Sequence, residues 1–322
     1  MQKRKLGSSD VWITPILLGT WQAGKRMWVG IEDNEIIKAI RASVDVGMTT
    51  IDTAEIYGNG YSEQMIGQAL CGIPRDRYEL ASKVFSNHLR VEQVLSACEQ
   101  SLQNLKTEYL DLYQIHWPAG SFKSDSVPIA ETMQALNRLK EQGKIRAIGV
   151  SNFSLSQLQD ARQYGQIDSI QPPYSLFWRK IDRELAPYCR AEGITILAYS
   201  PLAQGLLTGK FGPGHRFEEG DHRAENTLFE GENYQRALHA LDQLRPIAGS
   251  YGCSLSQLAL AWVIAQPQTC AIAGARNSDQ VVSNAQAALL TLSTSDLEKM
   301  ELISRIVTDH LDETPVMWSF AR

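Results

Sequence analysis

A chain of 322 residues, 43% hydrophobic and 21% charged, has an ordinary globular composition and the length for two domains or one large α/β barrel. A net charge of −5 with scattered basic residues leaves no electrostatic footprint for nucleic acid, and no apolar run reaches the length of a membrane span. The five cysteines, Cys71, Cys98, Cys189, Cys253 and Cys270, have neither redox nor metal-ligand spacing, so reduced thiols and no metal site are expected.

The N-terminus, Met1-Gln2-Lys3-Arg4-Lys5, is basic, but neither an apolar segment nor a small-residue cleavage site follows it, which predicts a cytoplasmic protein. Leu6 and Val11-Trp12-Ile13 flank the turn Gly7-Ser8-Ser9-Asp10 as a hairpin would. Eight apolar, strand-like runs follow: Ile16 to Thr20, Met48 to Asp52, Tyr78 to Val84, Leu110 to His116, Ile145 to Val150, Ile167 to Gln171, Ile194 to Tyr199 and Thr269 to Ala273. Amphipathic stretches lie between them, such as Asp33 to Val46, with Ile36, Ile37, Ile40 and Val44 at helical spacing, and Val91 to Leu105. Each is long enough for a right-handed crossover, so the pattern predicts a single-domain (β/α)₈ TIM barrel over residues 1–322. To the barrel it adds an N-terminal hairpin and a long loop after strand seven, the polar excursion Gly212 to Glu232. A doubly wound nucleotide fold would want Gly-x-Gly-x-x-Gly early in the chain. Gly58-Asn59-Gly60 begins that pattern, but Glu63 stands at the third glycine, and Ser62 reads as a helix N-cap.

Polar residues close three successive strands: Asp52, followed by Tyr57, then Lys83, then His116. Singly each has a structural explanation, an ion pair, a surface phenol or a satisfied histidine; together they converge on the carboxyl-terminal rim, where barrels keep their active sites. The segments "TIDTAEIYG", "LASKV", "LYQIHWP", "GVSNF", "QPPYSLF", "AYSPLAQGLLTGK" and "GARNSDQVVSN" resemble, in order and spacing, the aldo-keto reductase superfamily from Ile16 to about Leu289. The resemblance implies reversible hydride transfer between NADPH and a carbonyl, with Asp52, Tyr57, Lys83 and His116 as the catalytic tetrad. Chemistry agrees with these residue types. Negative charge develops on the carbonyl oxygen, Tyr57 would protonate it, Lys83 would lower the phenol's pKa, Asp52 would hold Lys83, and His116 would orient the carbonyl.

The same resemblance assigns the cofactor NADP(H) to the carboxyl ends of the strands. Gly19 and Thr20 end strand one, Trp21 follows it, and Asp52 closes strand two. Ser151, Asn152 and Gln171 would bond the nicotinamide carboxamide, and Tyr199 would stack on its ring. Ser200, Pro201, Leu202, Gln204 and Gly205 would approach the pyrophosphate by their backbone, with Lys210 as counter-charge. After strand eight come Gly274, Arg276, Gln280 and Asn284, with Arg276 matched to the adenosine 2′-phosphate. Substrate would meet Trp21, Tyr57, His116 and Trp117; Trp28, Trp178 and Trp318 are further candidates for an apolar pocket. Ala119-Gly120 departs from the acidic residue many members carry after "HWP". His215 and His222 match no common ligand set, and their segment reads as a solvated loop that by resemblance folds over the cofactor. The expected partner is a small-molecule carbonyl substrate, without nucleic acid or membrane, and the expected state is a monomer or weak homo-oligomer. Some relatives use this barrel as a cofactor-binding regulatory subunit of membrane channels, which is the alternative function.

Overall fold

The computed structural model describes residues 1–26 and 28–317. Strands β1 (Arg4–Lys5) and β2 (Trp12–Ile13) pair antiparallel, Arg4 opposite Ile13. The next eight strands are β3 (Ile16–Gly19), β4 (Thr50–Asp52), β5 (Glu79–Val84), β6 (Leu110–Ile115), β7 (Ile145–Ser151), β8 (Ser169–Gln171), β9 (Thr195–Ala198) and β10 (Thr269–Gly274). They are parallel and close into a barrel in chain order, with β10 returning to β3. All eight expected strands are present, together with the expected hairpin.

Helices α1 (Asp33–Asp45), α2 (Tyr61–Ala69), α3 (Val91–Leu105), α4 (Ile129–Glu141), α5 (Leu155–Ala161) and α6 (Leu185–Ala191) each carry the chain from one strand to the next. Two helices, α7 (Gly231–Ser250) and α8 (Leu255–Ala265), separate β9 from β10, and α9 (Ser278–Gln286) and α10 (Thr294–Thr308) follow the last strand. No single helix among the described residues is long and apolar enough to cross a membrane. Local chemistry sets the helix starts. At α5 and α8, Ser154 and Ser254 each accept a bond from the backbone N–H three residues on, while Gln157 and Gln257 reach back to the serine N–H.

Side-chain alternation divides the apolar residues between two cores. Inside the barrel, Leu17, Ala81, Leu112, Ala147, Leu197 and Cys270 meet Leu6, Val11 and Ile13, so the hairpin stoppers the amino-terminal end. Leu80, Val84, Tyr113 and Ile115 point outward from the same strands into the larger core beneath the helices. On β5 and β6 the inward series therefore continues from Ala81 to Lys83 and from Leu112 to Gln114. Period two alone brings polar side chains to the open end of an apolar interior.

Ser62 is not the cap of α2. The helix starts after Gly60, whose φ of 87° is left-handed, and Ser62 is buried within the first turn. Its hydroxyl reaches Thr20 O, Thr20 Oγ1 and Thr53 Oγ1 at 3.0, 2.9 and 2.9 Å. It pins α2 to the loops after β3 and β4, so its bonding is tertiary where a local cap was expected.

Candidate active site

Lys83 is fully buried, and its Nζ donates to Asp52 Oδ1 at 2.6 Å and to Thr53 O at 2.7 Å. The Tyr57 hydroxyl lies 3.5 Å from the same nitrogen. The second oxygen of Asp52 accepts from Gln171 Nε2 at 3.0 Å and from Gln114 Nε2 at 3.4 Å. Gln114 escaped the reading of the sequence; the signal that could have found it is its place two residues before His116, on the same face of β6. The His116 ring stands edge-on to Tyr57, with centroids 5.6 Å apart. The four residues expected to form the tetrad are thus together at the carboxyl ends of β4, β5 and β6.

Burial lowers Lys83, while the Asp52 carboxylate opposes that shift. The expectation that Lys83 lowers the phenol is not met: burial first, and then the Asp52 charge, push Tyr57 well above 10.0. The physical reason is that Lys83 arrives already paired with Asp52, so what its ammonium offers the phenolate is outweighed by the water the phenol loses. Burial and the Lys83 charge hold His116 well below 6.5, which leaves a neutral imidazole. Its Nδ1 is buried without a hydrogen-bond partner among the described residues.

A clamp fixes the Tyr57 loop against this rim. Glu55 donates its backbone N–H to Lys83 O at 3.3 Å, and its Oε1 accepts from Phe85 N at 2.6 Å and from His88 Nδ1 at 3.0 Å. Gly24 closes the loop from the other side: a Cβ there would stand 2.6 Å from the Tyr57 carbonyl carbon. Only a glycine allows that approach.

Above the tetrad opens a cavity of about 920 Å³. Of the four residues expected to form the tetrad, only Lys83 fails to line it, lying beneath the floor; every residue expected to hold the cofactor borders it, as do Trp21 and Trp117. Ser151 Oγ donates to Gln171 O at 2.7 Å, which identifies it as a strand-end bridge, while Ser154 caps the following helix. Asn152 has a left-handed φ of 59° and joins three strands, donating to His116 O at 3.0 Å and accepting from the Tyr199 hydroxyl at 2.8 Å. In the loop after β9, Ser200, Ala203 and Gln204 are also left-handed, at 52°, 47° and 55°. Such backbone in non-glycine residues is costly and clusters at functional sites.

Four buried polar atoms of lining residues have no hydrogen-bond partner among the described residues: Gln22 Oε1, Trp28 Nε1, His116 Nδ1 and Gln204 Nε2. Unsatisfied polar groups gathered on one cavity mark a place for a ligand. Lys210 and Arg276 are joined there by Arg223, which the sequence reading did not single out. Arg223 pairs with Asp221, and its guanidinium lies 5.4 Å from the Trp28 ring, while that of Arg276 lies 5.6 Å from the same ring. Burial, then the Arg223 charge, lower Arg276, and Lys210 is lowered by burial and by both arginines. Three cations share this corner with one carboxylate, Asp221, which leaves net positive charge there, a field that favours anions.

The expectation of a solvated loop around His222 needs correction. Asp221, His222 and Arg223 are buried, and the His222 ring packs 4.6 Å from both Trp21 and Trp28. Aromatic surface offered by the loop after β3 outweighs the polarity of the segment. Among the described residues no group of three His, Cys, Asp or Glu is placed to hold a metal ion. Trp21, Trp28 and Trp117 line the cavity, and so do Phe85 and Phe122, which were not foreseen. Trp178 does not: it is wholly buried in the outer core, with Nε1 donating to Pro315 O. Trp318 lies outside the described residues.

Comparison with known proteins agrees with this geometry. The model of the Aldo/keto reductase family matches residues 15–305. The aldo-keto reductase YhdN of Bacillus subtilis is 37% identical, over 94% of this chain and 93% of its own. The NADH-specific methylglyoxal reductase of Escherichia coli is 36% identical, over 93% and 97%. Among solved structures, the glycerol dehydrogenase of Gluconobacter oxydans superposes with a TM-score of 0.87 at 33% identity, covering 97% of this chain and 98% of that one. An aldo-keto reductase from Klebsiella pneumoniae in complex with NADPH gives 0.76 at 31%, covering 98% and 99%. With its closed eight-stranded barrel, its rim of Asp52, Tyr57, Lys83 and His116 and a family match along nearly its whole length, the chain belongs to the aldo-keto reductase family of oxidoreductases.

Proposed function

We propose that this protein reduces small aldehydes or ketones to alcohols with a nicotinamide dinucleotide, preferring NADPH, and that Tyr57 is the proton donor. The observation that carries the reading is the buried Lys83–Asp52 pair 3.5 Å beneath the Tyr57 hydroxyl, at the floor of a large cavity. The residues fit the cofactor on two counts: three cations share one corner of the cavity, and polar atoms without partners lie along it. When bound, the dinucleotide supplies the hydride. Lys210, Arg223 and Arg276 would bind its phosphates, while Ser151, Asn152 and Gln171 would meet the carboxamide and Tyr199 the ring face.

A raised phenol suits this task. Tyr57 stays protonated at neutral pH and yields its proton only as the carbonyl oxygen gains the charge of an alkoxide, a stronger base than phenolate. Lys83, held in place by Asp52, would then stabilise the phenolate left behind, so its field acts at the moment of charge transfer. Neutral His116 would donate a hydrogen bond to the same oxygen and fix the carbonyl over the cofactor. Phe85, Trp117 and Trp21 would exclude water around it.

Tyr57→Phe tests the assignment. It removes the proton donor and leaves the dinucleotide contacts in place, so NADPH should bind with nearly unchanged affinity while the rate of carbonyl reduction falls by about 10² to 10⁴. Following NADPH oxidation by absorbance with a panel of aldehydes measures the rate, and tryptophan fluorescence quenching measures the affinity. A variant that kept most of its kcat would remove Tyr57 from the role.

A further inference from the structure

Among the described residues four cationic side chains border the cavity, Arg26, Lys210, Arg223 and Arg276, against one carboxylate, Asp52, which Lys83 neutralises from beneath. Three of the four gather around Trp28 and the loop after β9, where the reading above places the cofactor phosphates. Arg26 is held elsewhere. Its Nη1 donates to Asn59 Oδ1 at 3.3 Å, and among the described residues it forms no ion pair. Asn59 stands two residues beyond Tyr57, so the two Cα atoms are at most about 7.6 Å apart. Ile56 and Gly58, on either side of Tyr57, border the cavity there as well.

Around this point the wall is apolar, built from Trp21, Ile56, Phe85, Trp117 and Phe122. A substrate whose carbonyl reaches Tyr57 therefore meets aromatic surface, and Arg26 is the lining cation left outside the corner read as the phosphate site. We propose that Arg26 reads a carboxylate on the substrate, so that the carbonyl compounds reduced best carry a carboxylate across a short apolar or aromatic body from the reacting carbon. This deepens the reductase reading and rests on it. A guanidinium matches a carboxylate by two parallel hydrogen bonds. A phosphate dianion would want a second cation, and the neighbouring Lys25 is engaged with Asp33 at 3.0 Å. The weak bond to Asn59 leaves the guanidinium free to turn towards such a ligand.

The test compares 4-carboxybenzaldehyde with benzaldehyde, whose ring has nearly the electron demand of the carboxylate-bearing one and which lacks the charge. For the wild type, kcat/KM should favour the acid roughly tenfold, mostly through KM, the scale of one charged hydrogen bond. The preference should shrink in about 0.5 M salt, where exposed charges are screened. Arg26→Gln should bring the ratio close to one, and Arg26→Glu should invert it. A wild-type ratio near one, or a preference that survives in Arg26→Gln, overturns the inference while the reductase reading stands. If neither compound, nor any neutral aldehyde, were reduced with NADPH, the reductase reading itself would fall and this inference with it.

Discussion

Arg276 is the residue at which coenzyme choice can be argued. Its guanidinium is half-buried beside Trp28, its backbone N–H donates to Gln280 Oε1 at 2.9 Å, and Asn277 caps α9 by accepting from Gln280 N at 3.0 Å. Among the described residues Arg276 forms no ion pair, Asp221 acting on it only through its field, and burying such a cation costs free energy that a bound phosphate would return. Two relatives of similar identity bear on the point differently: one is an NADH-specific reductase by name, and the other is a structure in complex with NADPH. Arg276→Ala is expected to weaken NADPH by about 1.5 to 3 kcal/mol, the worth of a charged hydrogen bond, and to leave NADH nearly unaffected. Titrating both coenzymes into both proteins checks this. Equal weakening would make Arg276 a support of the loop with no part in reading the 2′-phosphate.

At the scale of elements, the position of Tyr57 depends on how one loop is fastened to the end of β5. Glu55 makes that connection twice, through its backbone to Lys83 and through its side chain to Phe85, whose ring in turn packs 5.7 Å from His116. Burial raises the Glu55 carboxyl, opposed by the bond from Phe85 and by His88. Glu55→Ala removes the side-chain clamp without touching the tetrad. A reactive group misplaced by about 1 Å can cost 10²-fold, so kcat should drop by roughly one to two orders of magnitude with KM for NADPH little changed. Glu55→Gln keeps an oxygen for Phe85 N and should recover most of the loss. If alanine and glutamine were equally impaired, or both unimpaired, positioning by this bond would be excluded.

For the molecule as a whole, a neutral histidine in the cavity floor ties stability to pH. His116 has a folded value well below 6.5, whereas the unfolded chain takes up that proton near 6.5. Below this pH the unfolded state binds more protons, so His116 makes stability fall as pH falls, by up to about 1.4 kcal/mol per pH unit. Above it the contribution is constant. Urea unfolding of the coenzyme-free protein between pH 5 and 7.5 should therefore show a steeper acid loss in the wild type than in His116→Gln. Identical slopes would mean that the imidazole takes up its proton in the fold.

What the sequence determined by itself is what period and punctuation encode. Eight apolar runs separated by amphipathic stretches specify the strands and their order. Eight strand–helix units in a chain of this length, without the glycine pattern of a doubly wound fold, point to a closed barrel in chain order. Asp52, Lys83 and His116 were legible as a site for the same reason: each ends a strand, and a parallel barrel sets all strand ends on one rim. What only the tertiary structure decided depends on contacts between segments far apart in the chain. The buried Ser62 hydroxyl, the bond from Gln114 to Asp52 and the packing of His222 between Trp21 and Trp28 leave no local signature. The direction of the Tyr57 shift belongs here too. A sequence can place an ammonium beside a phenol, but which charge prevails depends on how much water the fold removes and on whether the ammonium is already paired.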